Sequence, residues 1–257
     1  MSDIAVTYIG GPTVLLEYAG LRILTDPTFD EPRRYPDPDG GQELVKTRGP
    51  ALQPAELGRL DLVLLSHHHH EDNLDVSGRA VLAQVPRTLT TVEGASVLAG
   101  TAVGMAPGDT SSVGPVTVTA TRSLHGPDAV AELLGPVIGF VLQSPGEPTV
   151  YLSGDNASLE VTREVADRFG GAPVMIVNAG AARVAEIDAD LTFGSGAAAK
   201  SAVTMTAQCV IGVHTEDWEH FSESRTQLEE AFSAAGLAEL LLDLPRGTRV
   251  PIDVVAD

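Results

Sequence analysis

Short apolar runs punctuated by glycine and proline recur along the chain, and they predict strands first and strand–helix alternation later. Residues 4–9, 13–18 and 21–24 are apolar or β-branched and are separated by Gly10-Gly11-Pro12 and Ala19-Gly20. That punctuation predicts three strands in an antiparallel meander. No helical pattern follows the glycine pair, so it reads as a tight turn and not as a phosphate loop. Residues 32–54 are rich in proline and glycine and too poor in apolar residues to predict an element. A connection of that length often borders a site.

Residues 62–65, Leu-Val-Leu-Leu, form a short apolar run between polar segments, the pattern of a buried strand. Residues 73–83 predict a helix with Asp72 or Asn73 as its N-cap, where the helix dipole favours carboxylates. Strand-like segments recur from 88 to 142, notably 116–120 and 137–142, and another covers 150–153. An amphipathic helix over 158–169, a strand over 173–177, a helix over 197–207, a strand over 209–213 and a helix over 222–235 complete the series. No solenoid-length repeat and no low-complexity segment interrupts it.

The 257 residues, 43% apolar, suffice for one large domain or two small ones, and no shift in composition forces a split. Lys+Arg of 16 against Asp+Glu of 35 gives a net charge of −19, a field that repels polyanions. Nucleic acid is thereby disfavoured as a partner, whereas a local basic pocket remains compatible with a small anion. Arg33, Arg34, Lys46, Arg122 and Arg183 are the candidates for such contacts, each weighed against a surface or structural role. The single cysteine, Cys209, lies in an apolar strand-like run and reads as a buried thiol without a chemical role. This sequence contains neither an apolar stretch of bilayer length nor a secretory leader, so the expectation is a cytoplasmic protein with no membrane partner.

Chemistry concentrates directly after the run at 62–65, where Ser66 is followed by His67, His68, His69, His70, Glu71, Asp72, Asn73, Leu74 and Asp75. Were the chain to stay extended, His68, His70 and Asp72 would share one face and His67, His69 and Glu71 the other. Either register offers two imidazoles and a carboxylate, ligands suited to zinc, manganese or iron. The run is internal, unlike a purification tag, and it uses four of the seven histidines in the chain. His125, Asp155 and His214 each fall just after an apolar strand-like segment. One such residue alone would carry little weight, but four strand ends bearing ligand-type side chains point to a convergent site. Ser66 and Ser153 lack a glycine-framed elbow, which disfavours a serine hydrolase.

Taken together, Thr-Asp26-Pro, the histidine cluster ending Asp72-Asn73-Leu74-Asp75, His125 before Gly126-Pro127, Gly154-Asp155, and His214 with Trp218-Glu219-His220-Phe221 resemble the metallo-β-lactamase superfamily. Within it the chain is similar to the metal-dependent hydrolases that include the ascorbate-6-phosphate lactonase and the phospholipase D acting on N-acyl-phosphatidylethanolamine. The resemblance implies an α/β fold, a four-layer αββα sandwich forming one hydrolase domain over 1–257. It implies a divalent metal, zinc or manganese, as one or two ions. The family pattern, His-any-His-any-Asp-His, fits here in two ways. Aligned on Asp72-Asn73-Leu74-Asp75, it selects His68, His70 and Asp72 and puts Asn73 where the last histidine belongs; aligned on Ser66-His67, it selects His67 and His69, with Glu71 and Asp72 following. The first alignment is preferred because it keeps the aspartate and the Leu-Asp after it.

By resemblance, His68, His70 and His125 would hold a first ion, Asp155 would bridge, and Asp72 with His214 would hold a second. His67 and Asn73 are further candidates. Asp72 and His220 would serve catalysis, His220 and Asp26 orienting ligands or substrate. An amide is a weak substitute for imidazole, so a single-ion enzyme is compatible with Asn73. The implied activity is hydrolysis of a small metabolite, with an anionic one among the candidates, a lactone or phosphoester, by a metal-activated water. A metal-binding protein without turnover is the alternative, a ribonuclease is disfavoured by charge, and an oxygen-reducing relative lacks its flavin segment. Homo-oligomerisation is left open.

Overall fold

A computed structural model describes residues 4–37 and 40–254. The meander takes shape as strands Ala5–Gly10, Thr13–Tyr18 and Leu21–Thr25, paired antiparallel with Val6 opposite Leu16 and Leu16 opposite Ile23. Its first turn requires glycine, because φ is +147° at Gly10 and +52° at Gly11. Leu62–Leu64, Thr88–Thr91 and Ala102–Met105 then add in parallel, and Arg249–Pro251 closes the opposite edge against the first strand. The result is a seven-stranded sheet.

A second sheet of six strands begins with Thr110–Val113, Val116–Arg122, Ile138–Gln143 and Val150–Leu152, all antiparallel. Val174–Asn178 and Cys209–Val213 join it in parallel through helical crossovers.

Period-two alternation sorts the strand side chains into layers. Val6, Tyr8, Val14 and Leu16 of the first sheet meet Val118, Phe140, Leu142 and Ile176 of the second in a central core. One step along the strands, Val141, Tyr151, Met175 and Val177 face the other way. They pack against helices Leu159–Phe169, Ser195–Thr204 and Arg225–Ala234 through Val165, Ala198, Ala202, Leu228 and Phe232. On the far side, Ile9, Leu24, Val63 and Leu65 pack with Leu74 and with Val81 and Leu82 of helix Val76–Leu82. This is the expected αββα sandwich. A one-residue slip in any central strand would send its large side chains to the wrong layer.

Two local expectations are corrected. The helix after the histidines starts later than its pattern suggested, with Asp75 as N-cap: its Oδ1 accepts the Gly78 N–H at 2.7 Å. Asp72 and Asn73 point into the site instead. Residues 32–54, expected to lack structure of their own, contain the hairpin Arg33–Tyr35 and Leu44–Lys46; Pro38 and Asp39 lie outside the described residues. These three-residue strands have no periodicity to read, because they draw their order from a distant segment. The Thr47 N–H donates to the Asp217 carbonyl at 2.7 Å and the Glu219 N–H to that of Val45 at 3.0 Å, while the Tyr35 and Trp218 rings meet at 5.5 Å. The hairpin therefore braces the loop that carries His220.

Candidate metal centre

The loop after Leu62–Leu64 is fixed before it reaches the histidines. The Ser66 N–H donates to Asp26 Oδ1 at 2.6 Å, and the Ser66 carbonyl accepts the Ile138 N–H at 3.1 Å. Beyond Ser66 the chain turns instead of staying extended, and the N–H groups of Asn73 and Leu74 both donate to the His70 carbonyl, at 3.1 and 3.0 Å. Between His67 and His70 the chain bends at His68 and His69. His67 Nε2 and His70 Nδ1 lie 3.0 Å apart, and the His125 ring is 5.6 Å from that of His67 and 5.3 Å from that of His70. One ring nitrogen from each of the three falls within 4.8 Å of the others.

This corrects both extended-chain registers. His68 is placed away from the set and groups with His69 and Glu93. The pairing is His67 with His70, which neither alignment selected, because the chain holds one residue more between the two histidines than the family pattern does.

The second group is Asp72, Asp155 and His214, again with ligand atoms within 4.8 Å of one another. Asp72 Oδ2 lies 3.2 Å from His214 Nε2 and 2.9 Å from His220 Nε2. Asp155 stands between the two groups. Its Oδ2 is 3.9 Å from His67 Nε2 and 3.8 Å from His125 Nε2, whereas its Oδ1 is 3.9 Å from His214 Nε2. His214 follows directly on strand Cys209–Val213 with φ of +59°, and Asp26 has φ of +30°. For non-glycine residues such values are uncommon and cost of order 1 kcal/mol or more, strain held by the surrounding packing.

Hydrogen bonds around the groups set which atoms face inward. His125 Nδ1 donates to the Leu191 carbonyl at 2.8 Å, which leaves Nε2 bare toward Asp155. Asn178 Nδ2 donates to Asp155 Oδ1 at 2.6 Å. Burial holds His67 well below the ordinary imidazole range and pushes His70 down to about 4, keeping both neutral and able to act as ligands. Burial raises Asp72 and Asp155, yet their histidine partners outweigh it and hold both carboxyls below the ordinary range.

The chemistry of the donor set decides whether the site suits a cation. Asn73 is fully buried, and in the orientation its surroundings require its amide nitrogen donates to Asp155 Oδ2 and Asp72 Oδ1, each at 3.2 Å. The imidazoles and carboxylates gathered around it are donors that fit a divalent metal.

Beside His125 opens a cavity of about 370 Å³ lined also by Ser123, Ala131, Glu132, Gly135, Pro136 and Val137. The basic residues considered for anion binding are engaged elsewhere. Arg33 pairs with Asp30, Arg34 with Glu43, Arg122 with Asp128 and Glu164, and Arg183 with Asp188 and Asp190. Lys46 is buried against Asp75 at 2.9 Å. Cys209 is a buried thiol that burial pushes up to about 12.

Asn178 escaped the sequence reading although it ends a strand just as Asp155 and His214 follow theirs. The same strand-end rule, extended to amides, would have found it. The Leu191 carbonyl that orients His125 carries no sequence signal.

A family profile described as a beta-lactamase superfamily domain matches residues 21–215. A UPF0173 metal-dependent hydrolase of Xanthobacter autotrophicus is 30% identical over 162 residues, 58% of this chain and 61% of that protein. An uncharacterised protein of Mycobacterium tuberculosis is 37% identical over 86 residues, 34% of this chain and only 22% of that protein's length. Among solved structures, a possible metal-dependent hydrolase from Veillonella parvula superposes with a TM-score of 0.85 at 19% identity, covering 97% of this chain and 100% of that one. The isothiocyanate hydrolase from Delia radicum gut bacteria gives 0.83 at 21% identity, with 96% and 99% covered. At these identities the two structures speak for the fold alone, while the profile spans most of the chain. The chain belongs to the β-lactamase superfamily and has its metallo-β-lactamase fold.

Proposed function

We propose that the chain is one domain that hydrolyses a small molecule with the help of one or two divalent ions, zinc or manganese. His67, His70 and His125 would hold the first ion, Asp72, Asp155 and His214 the second, with Asn73 beside it. The observation that carries this reading is Asp155, which turns one oxygen to each group at 3.8–3.9 Å. The metal-dependent hydrolases among its relatives support it. His68, preferred on sequence, is left out of the ligand set because of where the turn puts it.

An ion held there would act as a Lewis acid and make water a better nucleophile near neutral pH. The protein's own part is proton handling. Asp72 accepts the proton of the attacking water, its Oδ2 already oriented by His214 and His220. His220, which shares that oxygen, returns a proton to the leaving group. The bond broken is the one between the electrophilic centre and that group.

The substrate we favour is an uncharged carbon electrophile, such as a lactone, over a phosphoester. The basic residues weighed as anion contacts are all committed to carboxylates, and the cavity wall is largely apolar with Glu132 on it. A phosphoester would find no free cation among these residues and a repelling carboxylate instead. The isothiocyanate hydrolase, by its name, also acts on an uncharged carbon electrophile.

The test is metal content of untagged protein together with turnover of lactone and phosphoester panels before and after chelation. Bound ion with chelator-sensitive lactone turnover is the expected result. Preference for phosphoesters would refute the substrate class. Bound ion without turnover on any panel would favour the competing reading, a metal-binding protein, to which Asn73 lends its weight.

A further inference from the structure

Two of the four consecutive histidines are not used by the centre above. His68 and His69 lie with their ring centroids 4.1 Å apart, and His69 Nε2 is 3.2 Å from Glu93 Oε1 at the start of helix Val92–Leu98. One ligand atom from each of His68, His69 and Glu93 falls within 4.8 Å of the others. The Nδ1 atoms of both histidines are buried with no hydrogen-bond partner, although His68 as a whole is only 6% exposed. Buried, unpartnered nitrogens on two adjacent imidazoles are costly unless something satisfies them.

The walls leave room for the rings. A Cβ at Gly135 would stand 2.8 Å from His69 Nε2, and one at Gly94 would stand 3.3 Å from His68 Nδ1. Glu93 supplies the opening, since its side chain is 55% exposed while that of His69 is 22% exposed. The arrangement therefore has two imidazoles side by side and one exposed carboxylate at the rim.

We propose that His68, His69 and Glu93 form a separate, solvent-reachable binding site for a divalent cation of the zinc type. Two imidazoles and a carboxylate are the donor set that zinc, nickel and copper(II) accept, with water filling the remaining positions. Because His68 and His69 sit between His67 and His70, an ion here ties the turn to helix Val92–Leu98. The site thereby links the concentration of free cation to the rigidity of the loop that feeds the main centre.

The experiment is titration of the metal-stripped protein with Zn²⁺, and separately Ni²⁺, by calorimetry, comparing wild type with Glu93→Ala and His69→Gln. Glu93 is half-exposed, so its replacement leaves folding intact, and circular dichroism checks both variants. The expected result is one fewer equivalent bound in each variant, with the tighter equivalents retained. Equal stoichiometry and affinity in wild type and Glu93→Ala would overturn the site. So would loss of the tightest equivalent in His69→Gln but not in Glu93→Ala, since that would put His69 in the main centre. Because the readout is a difference in bound ions, it stands whether or not the protein turns over any substrate.

Discussion

His67 Nε2 and His70 Nδ1 lie 3.0 Å apart although two residues separate them in sequence. The closeness comes from the bend of the chain at His68 and His69, between the two residues. With the proposed ligand set, it gives an expected order of importance within the histidine run. His67→Ala is expected to lower turnover more than about 100-fold and to reduce tightly held metal, beyond the 10–100-fold typical of residues one step removed from an ion. His68→Ala is expected to cost less than about tenfold. Side-by-side turnover and metal analysis of the two variants checks this, and a larger loss in His68→Ala would restore the extended register.

Asn73 stands where the family resemblance led us to expect a histidine, with its amide against Asp72 and Asp155. If its oxygen contributes to the second ion, Asn73→Leu, similar in size but without a donor atom, weakens that ion by roughly tenfold or more. The first ion is expected to keep its affinity, since His67, His70 and His125 are untouched. Calorimetric titration with zinc resolves the two. Unchanged affinity for both would reduce the amide to a hydrogen-bonding spacer between the carboxylates.

The sandwich was legible because its strands obey a simple period. Val141 and Leu142, adjacent in sequence, serve opposite cores, and such alternation can be read without coordinates. His125, Asp155 and His214 were legible for a related reason: each follows a strand, and strand ends of two packed sheets meet at one rim. The histidine register was not legible, because it depends on a bend at His68 and His69 that is made by backbone angles and leaves no residue pattern. The hairpin at Arg33–Tyr35 and Leu44–Lys46 was hidden for a different reason. Its strands are too short for periodicity, and the buried Lys46 looks in sequence like any surface lysine.

Lys46 and Asp75 form an ion pair at 2.9 Å with side chains 2% and 0% exposed. Asp75 also accepts the N–H groups of Asp30 and Gly78, at 2.6 and 2.7 Å, so it has partners besides the lysine. The two partners are therefore unequal. Asp75→Asn leaves a buried ammonium without its countercharge and is expected to cost about 3–5 kcal/mol. Lys46→Met leaves a carboxylate that retains two backbone donors, and a smaller loss is expected. The double variant should be more stable than Asp75→Asn alone, because it removes the stranded charge. Urea unfolding of the three variants measures the cycle, and strict additivity would show that the pair is not coupled.

Asp26 gives a pH dependence of known sign. Burial raises its carboxyl from 3.8 to about 7, against the opposing hydrogen bond from the Ser66 N–H. The folded state thus holds a proton that the unfolded chain, with an aspartate near 3.9, has already released. Below about pH 4 both states are protonated and the group has no effect. As pH rises from about 4 to 7, the unfolded state gains by ionising first, so stability is lost across that window and the loss then levels off. The full effect is on the order of 4 kcal/mol. Asp72 and Asp155, whose carboxyls are held low, act in the opposite direction: their contribution is present above the unfolded pKa and is lost as pH falls. The net slope therefore mixes both, and comparison with Asp26→Asn isolates one. Asparagine keeps an oxygen for the Ser66 N–H but cannot ionise, so in chelator the variant should gain on wild type between pH 4 and 7.5. A constant difference between the two urea midpoints over that range would mean that Asp26 ionises in the folded protein as it does in the unfolded chain.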